Sequence, residues 1–385
     1  MPPLVFDLQR ADDPRDVVHR AVQALAEGKL VAFPTETVYV LAASALSDSA
    51  VRRLGEITPV SNGMPQLTLA VKSADDALDY VPEISQLSKR LARRCWPGPV
   101  TLVLKDDHPD SVVKQLPSSV QQAVTQDGYI SLRVPAHPVV LSVLRLFAGP
   151  LAIASATLAD GVEAVTAQDV VAAYGGKVDM VLDDGRSKFA QPASVVKVDG
   201  RKLQVLQAGV LAPTTLRRLA DLMVLLICTG NTCRSPMAEA MLKKRLAEKL
   251  GCAIEDLENR GVIVMSAGIA AMAGGRAATE AITAMNERGL DLARHESQPL
   301  TERLVRYADL VLSMTRGHRE AILTQWPEAA GRIELVSRDR SDIADPIGGP
   351  AELYRRCAEQ IDNQLSKWVD ELDLDSIALP EEKDP

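Results

Sequence analysis

The stretch Cys228-Thr-Gly-Asn-Thr-Cys-Arg-Ser235 determines how the second half of the chain is interpreted. It follows the apolar run Met223–Ile227, typical of a buried strand, and precedes the helix-forming residues Met237–Leu242. A tight loop between a strand and a helix turns backbone N–H groups and the helix dipole toward one point, where an anion of phosphate size fits. This field favours the thiolate form of Cys228, which attacks phosphorus, and the guanidinium of Arg234 can hold two phosphoryl oxygens.

Composition and charge limit the class of protein. A chain of 385 residues is too long for one ordinary core and predicts two domains, and 46% hydrophobic with 24% charged residues is typical of a globular protein. No apolar run reaches the length of a membrane span and the N-terminus lacks a signal-peptide pattern, so we expect no membrane partner. Five cysteines without CxxC spacing favour a reducing compartment, and therefore the cytoplasm. The net charge of −8 provides no overall attraction to nucleic acid, although a local basic pocket remains compatible with it.

The first half of the chain reads as an α/β domain. Asp16–Gly28 carries apolar residues at helical spacing and ends at a glycine, and Leu30–Phe33 is a short apolar run ended by a proline. Strand-like and helix-like runs continue to alternate as far as about residue 210. Gly and Pro punctuate Gln207–Asp221, so we predict domains over residues 1–210 and 222–375 with a boundary near residue 215.

Four blocks of this half resemble the YrdC-like family of threonylcarbamoyl-AMP synthases, which contribute to a modified adenosine in tRNA. The blocks are Pro34–Tyr39, Trp96–Thr101, Leu132–Pro135 and Ser155-Ala156. The resemblance implies an open, twisted α/β sheet around a positively lined cavity that in the family binds ATP, threonine and bicarbonate. By the same resemblance the cavity is lined by Thr35, Thr37, Tyr39, Arg133 and Ser155.

The sequence departs from this family at ligand-facing positions. Where the family has a Lys-x-Arg-Pro block, the two cationic positions are Thr58 and Val60. Further family residues are replaced by Val40, Thr157, Ala193-Ser194 and Gln207. An anionic substrate would lose charge-assisted hydrogen bonds worth about 1.5–3 kcal/mol each. We therefore expect that the fold is retained without adenylate-forming activity. Binding of a nucleotide, a threonine-like ligand or RNA, including double-stranded RNA, in the same pocket remains an alternative.

The second half predicts a doubly wound parallel sheet. After the loop, helix-like and strand-like runs alternate at lengths that require parallel strands covered by helices on both faces. The predicted elements are the strands Val262–Gly268, Ala308–Met314 and Arg332–Val336 and the helices Ala238–Leu250, Ala277–Arg288, Gly317–Gln325 and Glu352–Leu372. In such folds ligands bind at the carboxyl ends of the strands, which is where the loop of Cys228 lies.

This half resembles the low-molecular-weight protein-tyrosine phosphatase family along its whole length. The matching motifs are Cys228-x5-Arg234-Ser235-Pro236, Ser266–Gly268, Gly289–Leu292 with His295-x-Ser297, Ala308-Asp309 and Asp345-Pro346. The resemblance implies a phosphocysteine on Cys228, phosphoryl binding by Arg234, and Asp345 as general acid and then base. Asn231 would hold the loop and Ser235 would hydrogen-bond to the thiolate, and the substrate-binding set is Thr229, Gly230, Asn231, Thr232, Cys233 and Ser235. The alternative for Asp345 is an ordinary Asp-Pro turn.

Two residues bear on the substrate. Thr232 occupies a position where phosphotyrosine-directed members usually carry a bulkier aliphatic residue, and a Thr there resembles the protein-arginine phosphatase branch. Ile347 stands where aromatic residues that sandwich the substrate ring are usual. Phosphoarginine is therefore favoured over phosphotyrosine, although Thr232 could also simply pack the loop.

The remaining thiols and histidines give less information about function. Cys233 could pair with Cys228 under oxidation or be a small buried thiol. No histidine has metal-ligand spacing, so we expect neither a metal nor another cofactor. Three functions stay open: a phosphatase of phosphorylated proteins with an inactive N-terminal domain, a bifunctional protein that also makes threonylcarbamoyl-AMP, and a nucleotide- or RNA-binding module that carries a phosphatase.

Overall fold

The computed structural model describes residues 2–59 and 64–379. Val60, one of the two positions that replace cations of the family motif, lies outside the described residues. The chain divides into two compact units, Met1–Leu219 and Ala220–Pro385. Within the described ranges, no helix combines the length and the apolar character that a bilayer span requires.

One mixed sheet with helices forms the first unit. Its described strands are β1 Leu4–Asp7, β2 Val31–Phe33, β3 Val40–Ser44, β4 Thr68–Ala70, β5 Val100–Lys105, β6 Thr125–Gln126, β7 Tyr129–Arg133, β8 Leu151–Ser155, β9 Met180–Asp183, β10 Ser194–Asp199 and β11 Lys202–Gln207. The helices are α1 Pro14–Ala26, α2 Asp48–Ile57, α3 Ala74–Tyr80, α4 Gln86–Cys95, α5 Ser118–Val124, α6 Pro138–Leu146 and α7 Ala167–Tyr174, and α8 Pro213–Ala220 follows β11. The order β1-β9-β2-β3-β8-β4-β7-β5-β10-β11, with β6 beside β7, confirms the open α/β sheet.

Helix α1 shows why these residues fold in this way. The Asp13 side chain caps its first turn by accepting a hydrogen bond from the Arg15 N–H, and a proline occupies the first helical position. Val18 and Leu25 are buried against the sheet. Gly28, with φ +76°, then adopts the left-handed conformation that glycine accepts without strain.

The second unit contains a four-stranded sheet in its described residues. The strands are β12 Leu222–Cys228, β13 Val262–Gly268, β14 Leu310–Ser313 and β15 Ile333–Leu335, in the order β13-β12-β14-β15. The helices are α9 Arg234–Leu250, α10 Thr279–Asn286, α11 Glu302–Tyr307, α12 Arg316–Gln325 and α13 Ala351–Glu371. All three strand pairings are parallel, which confirms the predicted doubly wound architecture.

Strand β12 lies at the centre of two hydrophobic clusters. Val224 and Leu226 pack into a cluster that includes residues of α9, α10 and α13, whereas Leu225 and Ile227 pack into one that includes residues of α11 and α12. Both faces of the strand are therefore buried, which explains why its sequence is an uninterrupted apolar run.

Helix α9 begins at Arg234, earlier than the predicted start at Ala238. Pro236 falls within its first turn, where the missing N–H costs nothing because that group has no partner inside the helix. Arg234 and Ser235 are consequently helical residues, and their side chains point from the first turn of α9 toward the end of β12. The early helix start thereby brings the loop and the helix N-terminus together.

Candidate active site

The loop from Cys228 to Arg234 is tightly wound and mostly buried. Asn231 has a φ of +56°, a left-handed conformation that non-glycine residues seldom adopt. Gly268, the last residue of β13, passes so close that a Cβ there would lie 2.4 Å from the Thr229 carbonyl oxygen. Only glycine at this position lets the loop close over the sheet edge.

Two hydrogen-bond donors surround the Cys228 thiol. Its Sγ lies 2.9 Å from the Ser235 hydroxyl oxygen and accepts a hydrogen bond from the Asn231 N–H at 3.2 Å. Both contacts stabilise a negative charge on sulfur, and the N-terminus of α9 adds its dipole. The structure thus places Cys228 in an environment suited to a thiolate.

The Asn231 side chain holds this geometry. Its amide nitrogen donates to the hydroxyls of Ser235 at 2.9 Å and Ser266 at 2.8 Å, and its amide oxygen accepts from the Gln298 N–H at 2.9 Å. Ser266 in turn donates to Glu239 at 2.6 Å. This satisfied buried network explains how Asn231 is kept in its left-handed conformation.

Arg234 and Asp345 meet beside the thiol loop. Arg234 forms an ion pair with Asp345 and donates to the Ile343 carbonyl oxygen at 3.1 Å. The guanidinium side chain is only 5% exposed, whereas that of Asp345 is 37% exposed. A buried cation and an accessible carboxylate are therefore brought together across 111 residues of sequence.

His318, on α12, supports the loop from another side. Its Nε2 lies 2.9 Å from the Thr229 hydroxyl, and its Nδ1 lies 2.9 Å from the hydroxyl of Thr315. Burial, followed by the nearby charge of Arg234, lowers the pKa of His318 to about 4. The imidazole is neutral near pH 7 and orients Thr229 without adding charge to the site.

The rest of the predicted substrate-binding set lies on the same loop. Thr232 is half-buried, and its carbonyl oxygen accepts a hydrogen bond from the Ala278 N–H at 2.9 Å. Its hydroxyl lies 3.7 Å from the sulfur of Cys233, which is itself 3.4 Å from the Tyr354 hydroxyl. Burial raises the pKa of Tyr354, so the phenol is a neutral neighbour of Cys233. Gly230 is half-buried within the turn.

Several of these supporting residues were not anticipated. The thiol of Cys357 donates to the carbonyl oxygen of Ala344, directly before Asp345, at 3.6 Å, and burial raises the pKa of this thiol to about 12. Glu239 and Gln298 also lie outside the predicted set. A cysteine within α13 or a glutamate one turn into α9 carries no local sequence signal that distinguishes it from a packing or surface residue.

Ile347, two residues after Asp345, is 69% exposed, and its N–H donates to the Asp345 carboxylate at 3.2 Å. It therefore presents an aliphatic side chain at the rim near the carboxylate. Among the residues that the structure describes, no group of three or more His, Cys, Asp or Glu could hold a metal ion.

A separate polar cavity of about 140 Å³ lies within the first unit. Arg133 and Ser155, two of the five predicted pocket residues, line it. The positions that depart from the synthase family line the same cavity, namely Val40, Thr58, Thr157, Ala193 and Gln207. The sequence changes are therefore concentrated at one site.

The structure separates Thr35, Thr37 and Tyr39 from this lining. Thr37 and Tyr39 are fully buried, and the Tyr39 hydroxyl donates to the Gly185 carbonyl oxygen at 2.8 Å, so these side chains hold the loop after β2 together. Thr35 contributes to another cavity of about 450 Å³ and accepts hydrogen bonds from the Thr37 and Val38 N–H groups. The hydroxyls of this motif therefore form hydrogen bonds within the protein, although the motif predicted that they would line the ligand pocket.

Arg133 is already neutralised. Its guanidinium donates to Glu36 at 2.8 Å and to the Thr37 hydroxyl at 3.0 Å, and its side chain is 4% exposed. The second oxygen of Glu36 accepts from the Ala136 N–H at 3.0 Å. The one cation among the five predicted pocket residues is thus engaged by a protein carboxylate.

A thiol, a helix N-terminus, a buried guanidinium and an accessible carboxylate at the carboxyl end of a central parallel strand define a cysteine-dependent phosphatase. Comparison with known proteins agrees. A family model described as low molecular weight phosphotyrosine protein phosphatase matches residues 223–377, and one described as telomere recombination, covering Sua5, YciO and YrdC proteins, matches residues 23–209.

Individual relatives follow the same division. A protein-arginine-phosphatase from Bacillus subtilis is 36% identical over 40% of this chain and 97% of its own length. A probable low molecular weight protein-tyrosine-phosphatase, EpsP, from Ralstonia nicotianae is 35% identical over 38% of this chain and 92% of its own length. A putative threonylcarbamoyl-AMP synthase from Mycobacterium tuberculosis is 31% identical over 53% of this chain and 87% of its own length. The chain belongs to the low-molecular-weight phosphatase family through its second unit and to the Sua5/YrdC family through its first.

Proposed function

We propose that the protein hydrolyses phosphoarginine in protein substrates through a phosphocysteine on Cys228, with phosphotyrosine as the second choice. The observation that supports this most is the convergence of the Cys228 thiol, the Arg234 guanidinium and the Asp345 carboxylate beside one helix N-terminus. Each group has the chemistry that one step of phosphoryl transfer needs.

Substrate binding uses the loop amides and Arg234. The phosphoryl oxygens accept hydrogen bonds from the N–H groups of the loop, and the guanidinium holds two of them. The phosphoryl group competes with Asp345 for Arg234. The released carboxylate, no longer paired with a cation, takes up a proton from solvent and faces the leaving group as a carboxylic acid. Thr229, oriented by His318, lies 3.5 Å from the guanidinium and keeps it in place.

In the first chemical step, the Cys228 thiolate attacks phosphorus and a P–S bond forms. The P–N bond breaks, and its electron pair goes to the arginine nitrogen, which takes a proton from the Asp345 carboxylic acid. The products are a phosphocysteine, a free arginine side chain and the Asp345 carboxylate. With phosphotyrosine, the same proton goes to the phenolic oxygen.

In the second step, water attacks the phosphocysteine. Asp345, now a carboxylate, takes a proton from the water as the P–O bond forms and the P–S bond breaks. The sulfur leaves as a thiolate, stabilised by the Ser235 hydroxyl and the Asn231 N–H, and inorganic phosphate is released. Cys228 is again a thiolate and Asp345 again a carboxylic acid, as at the start of the first step.

The preference for phosphoarginine is supported by Thr232. Its side chain is small and polar and half-buried, on the loop that begins with Cys228, and its hydroxyl lies 3.7 Å from the Cys233 sulfur. Ile347 provides an exposed aliphatic side chain where an aromatic ring would otherwise stack on a phenyl group. Relatives named for each activity have similar identities, so the preference depends on these side chains.

The preference is tested with two peptides of one sequence that carry phosphoarginine or phosphotyrosine. We expect a higher kcat/KM for phosphoarginine in the wild type and a shift toward phosphotyrosine in Thr232→Ile. Thr232→Val is the matched control, because it removes the hydroxyl while keeping the shape. Faster wild-type turnover of phosphotyrosine would exclude the arginine assignment.

For the first unit, we infer a fold that no longer forms threonylcarbamoyl-AMP. At the cavity, Thr58 stands where the family has a cation and Gln207 replaces a further family residue, and Arg133 is paired with Glu36. Incubation with ATP, threonine and bicarbonate should yield no product above background. ATP-dependent product would instead favour the bifunctional alternative, and salt-dependent binding of RNA would favour the third candidate, a nucleic-acid-binding module.

We also place the protein in the cytoplasm. All five cysteines are free thiols, and a catalytic thiolate needs a reducing environment to stay active. Activity that requires added reductant after purification in air, and that returns fully on reduction, would agree with this placement.

A further inference from the structure

The cavity of about 140 Å³ in the first unit contains a carboxylate without a cationic partner. Glu163 lines the cavity, and the Thr157 hydroxyl donates to its Oε2 at 3.1 Å. Within residues 2–59 and 64–379, no Lys, Arg or His forms an ion pair with Glu163. The sequence of residues 60–63, Val-Ser-Asn-Gly, contains no cation either.

This arrangement follows from the local chain path. Backbone hydrogen bonds from Leu158 to Val162 and from Ala164 to Ala156, both 2.7 Å, fold the segment after β8 back on itself. The turn brings Glu163 opposite Thr157, one of the positions that depart from the synthase family. The hydroxyl of Thr157 is therefore the hydrogen-bond donor to the carboxylate of Glu163.

The charge of the cavity differs from that of an anion site. Glu36 neutralises Arg133, so Glu163 contributes the one charge in the described lining that no protein group balances. Half-buried carboxylates are stable when a cation or several donors accompany them. The surrounding groups are neutral hydroxyls and amides, namely Thr68, Thr101, Ser131, Ser155, Thr157 and Gln207.

We propose that this cavity binds a small organic cation, whose ammonium or guanidinium group pairs with Glu163 and whose remaining N–H groups reach the neighbouring hydroxyls. The volume of about 140 Å³ suits a ligand of about six non-hydrogen atoms, since a cavity of similar size accommodates benzene. The proposal goes beyond the phosphatase function and does not depend on it, because it concerns the first unit alone.

The test compares methylguanidinium with its neutral isostere N-methylurea and with acetate, by ligand-observed NMR titration of the full chain. We expect saturable binding of methylguanidinium only. Glu163→Gln, which keeps the shape and the Thr157 contact, should weaken binding at least about tenfold. Glu83→Gln removes an exposed carboxylate as the matched control and should leave binding unchanged.

Several outcomes would overturn the proposal. Equal binding of N-methylurea would show that charge does not select the ligand. Binding that survives Glu163→Gln but is lost in Asp345→Asn would place the cation at the phosphatase loop instead. Saturable binding of ATP or pyrophosphate that depends on Glu163 and Arg133 would show an anion site, and absence of any methylguanidinium binding would exclude the cation site.

Discussion

The loop of Cys228 and the cavity of Glu163 treat negative charge in opposite ways. At the loop, the helix N-terminus, the Asn231 N–H and a buried Arg234 accumulate positive potential, and the carboxylate beside them is accessible and exchangeable. In the cavity, the charge of Arg133 is neutralised by its ion pair with Glu36, and Glu163 adds a carboxylate. Both are polar sites on α/β sheets, so the balance of charge at each site, and not the fold, decides which ligand it can bind.

The largest effect is expected at Cys228, because the whole phosphoryl transfer passes through its sulfur. Cys228→Ser should lower kcat by at least about ten-thousandfold, since a serine hydroxyl stays protonated at neutral pH. Cys233→Ser, on the same loop, is the control and should retain most activity. Loss of activity in both variants to the same extent would mean that the loop, and not the nucleophile, had been damaged.

Asp345→Asn should lower kcat by roughly a hundredfold to a thousandfold, the usual range for a general acid. The amide keeps the shape but cannot donate a proton to the leaving group. The deficit in kcat/KM, which reports the first chemical step alone, should shrink for an aryl phosphate whose leaving group is already acidic. An equal deficit in kcat/KM for acidic and basic leaving groups would make Asp345 a structural partner of Arg234 only.

His318 should make the second unit sensitive to acid. Its pKa of about 4 lies below the ordinary value near 6.5, so the unfolded chain binds a proton more readily. The contribution of neutral His318 to the free energy of unfolding is complete above about pH 6.5. It falls by up to roughly 3 kcal/mol as the pH approaches 4. Denaturant unfolding, followed by tryptophan fluorescence in a Trp96→Phe background, should show this slope.

The slope should be smaller in His318→Gln, which cannot take up the proton. The glutamine variant is less stable at pH 7 because it loses the bond to Thr229, but its stability should change less between pH 7 and 4.5. An identical pH slope in both proteins would show that other groups account for the acid sensitivity.

The smallest effect concerns Glu163. Desolvation raises its pKa, so its contribution to stability is fully present below the pKa of the unfolded chain and is lost as the pH rises through the folded value. Glu163→Gln should therefore stabilise the ligand-free protein slightly near pH 7 and leave its stability unchanged at pH 3.5. Calorimetry of this variant beside Glu83→Gln checks the difference.

Much of the second unit could be predicted from the sequence because its signals are local. An apolar run buried on both faces indicated β12, and the spacing of Cys228 and Arg234 placed both at one helix start. Helix α9 began four residues earlier than expected, since the apolar pattern starts later than the hydrogen-bonded turn. The first unit was recognised as an open α/β sheet through its short motifs.

Contacts between distant residues could not be predicted in this way. The bonds from His318 to Thr229 and from Cys357 to Ala344 depend on how α12 and α13 pack, and no local pattern reports that. The pairing of Arg133 with Glu36, 97 residues apart, likewise depends on the loop after β2 lying beside the end of β7. A residue of a family motif can therefore be structural, as the burial of Tyr39 shows.

The most direct test of the contrast between the two sites is rapid-quench mass spectrometry of the full chain after mixing with a phosphoarginine peptide. We expect a transient phosphoryl group on the peptide fragment that contains Cys228, and none on fragments from the first unit. A phosphoryl group on any other residue, or single-turnover hydrolysis with no labelled Cys228 when Asp345→Asn slows its breakdown, would contradict it.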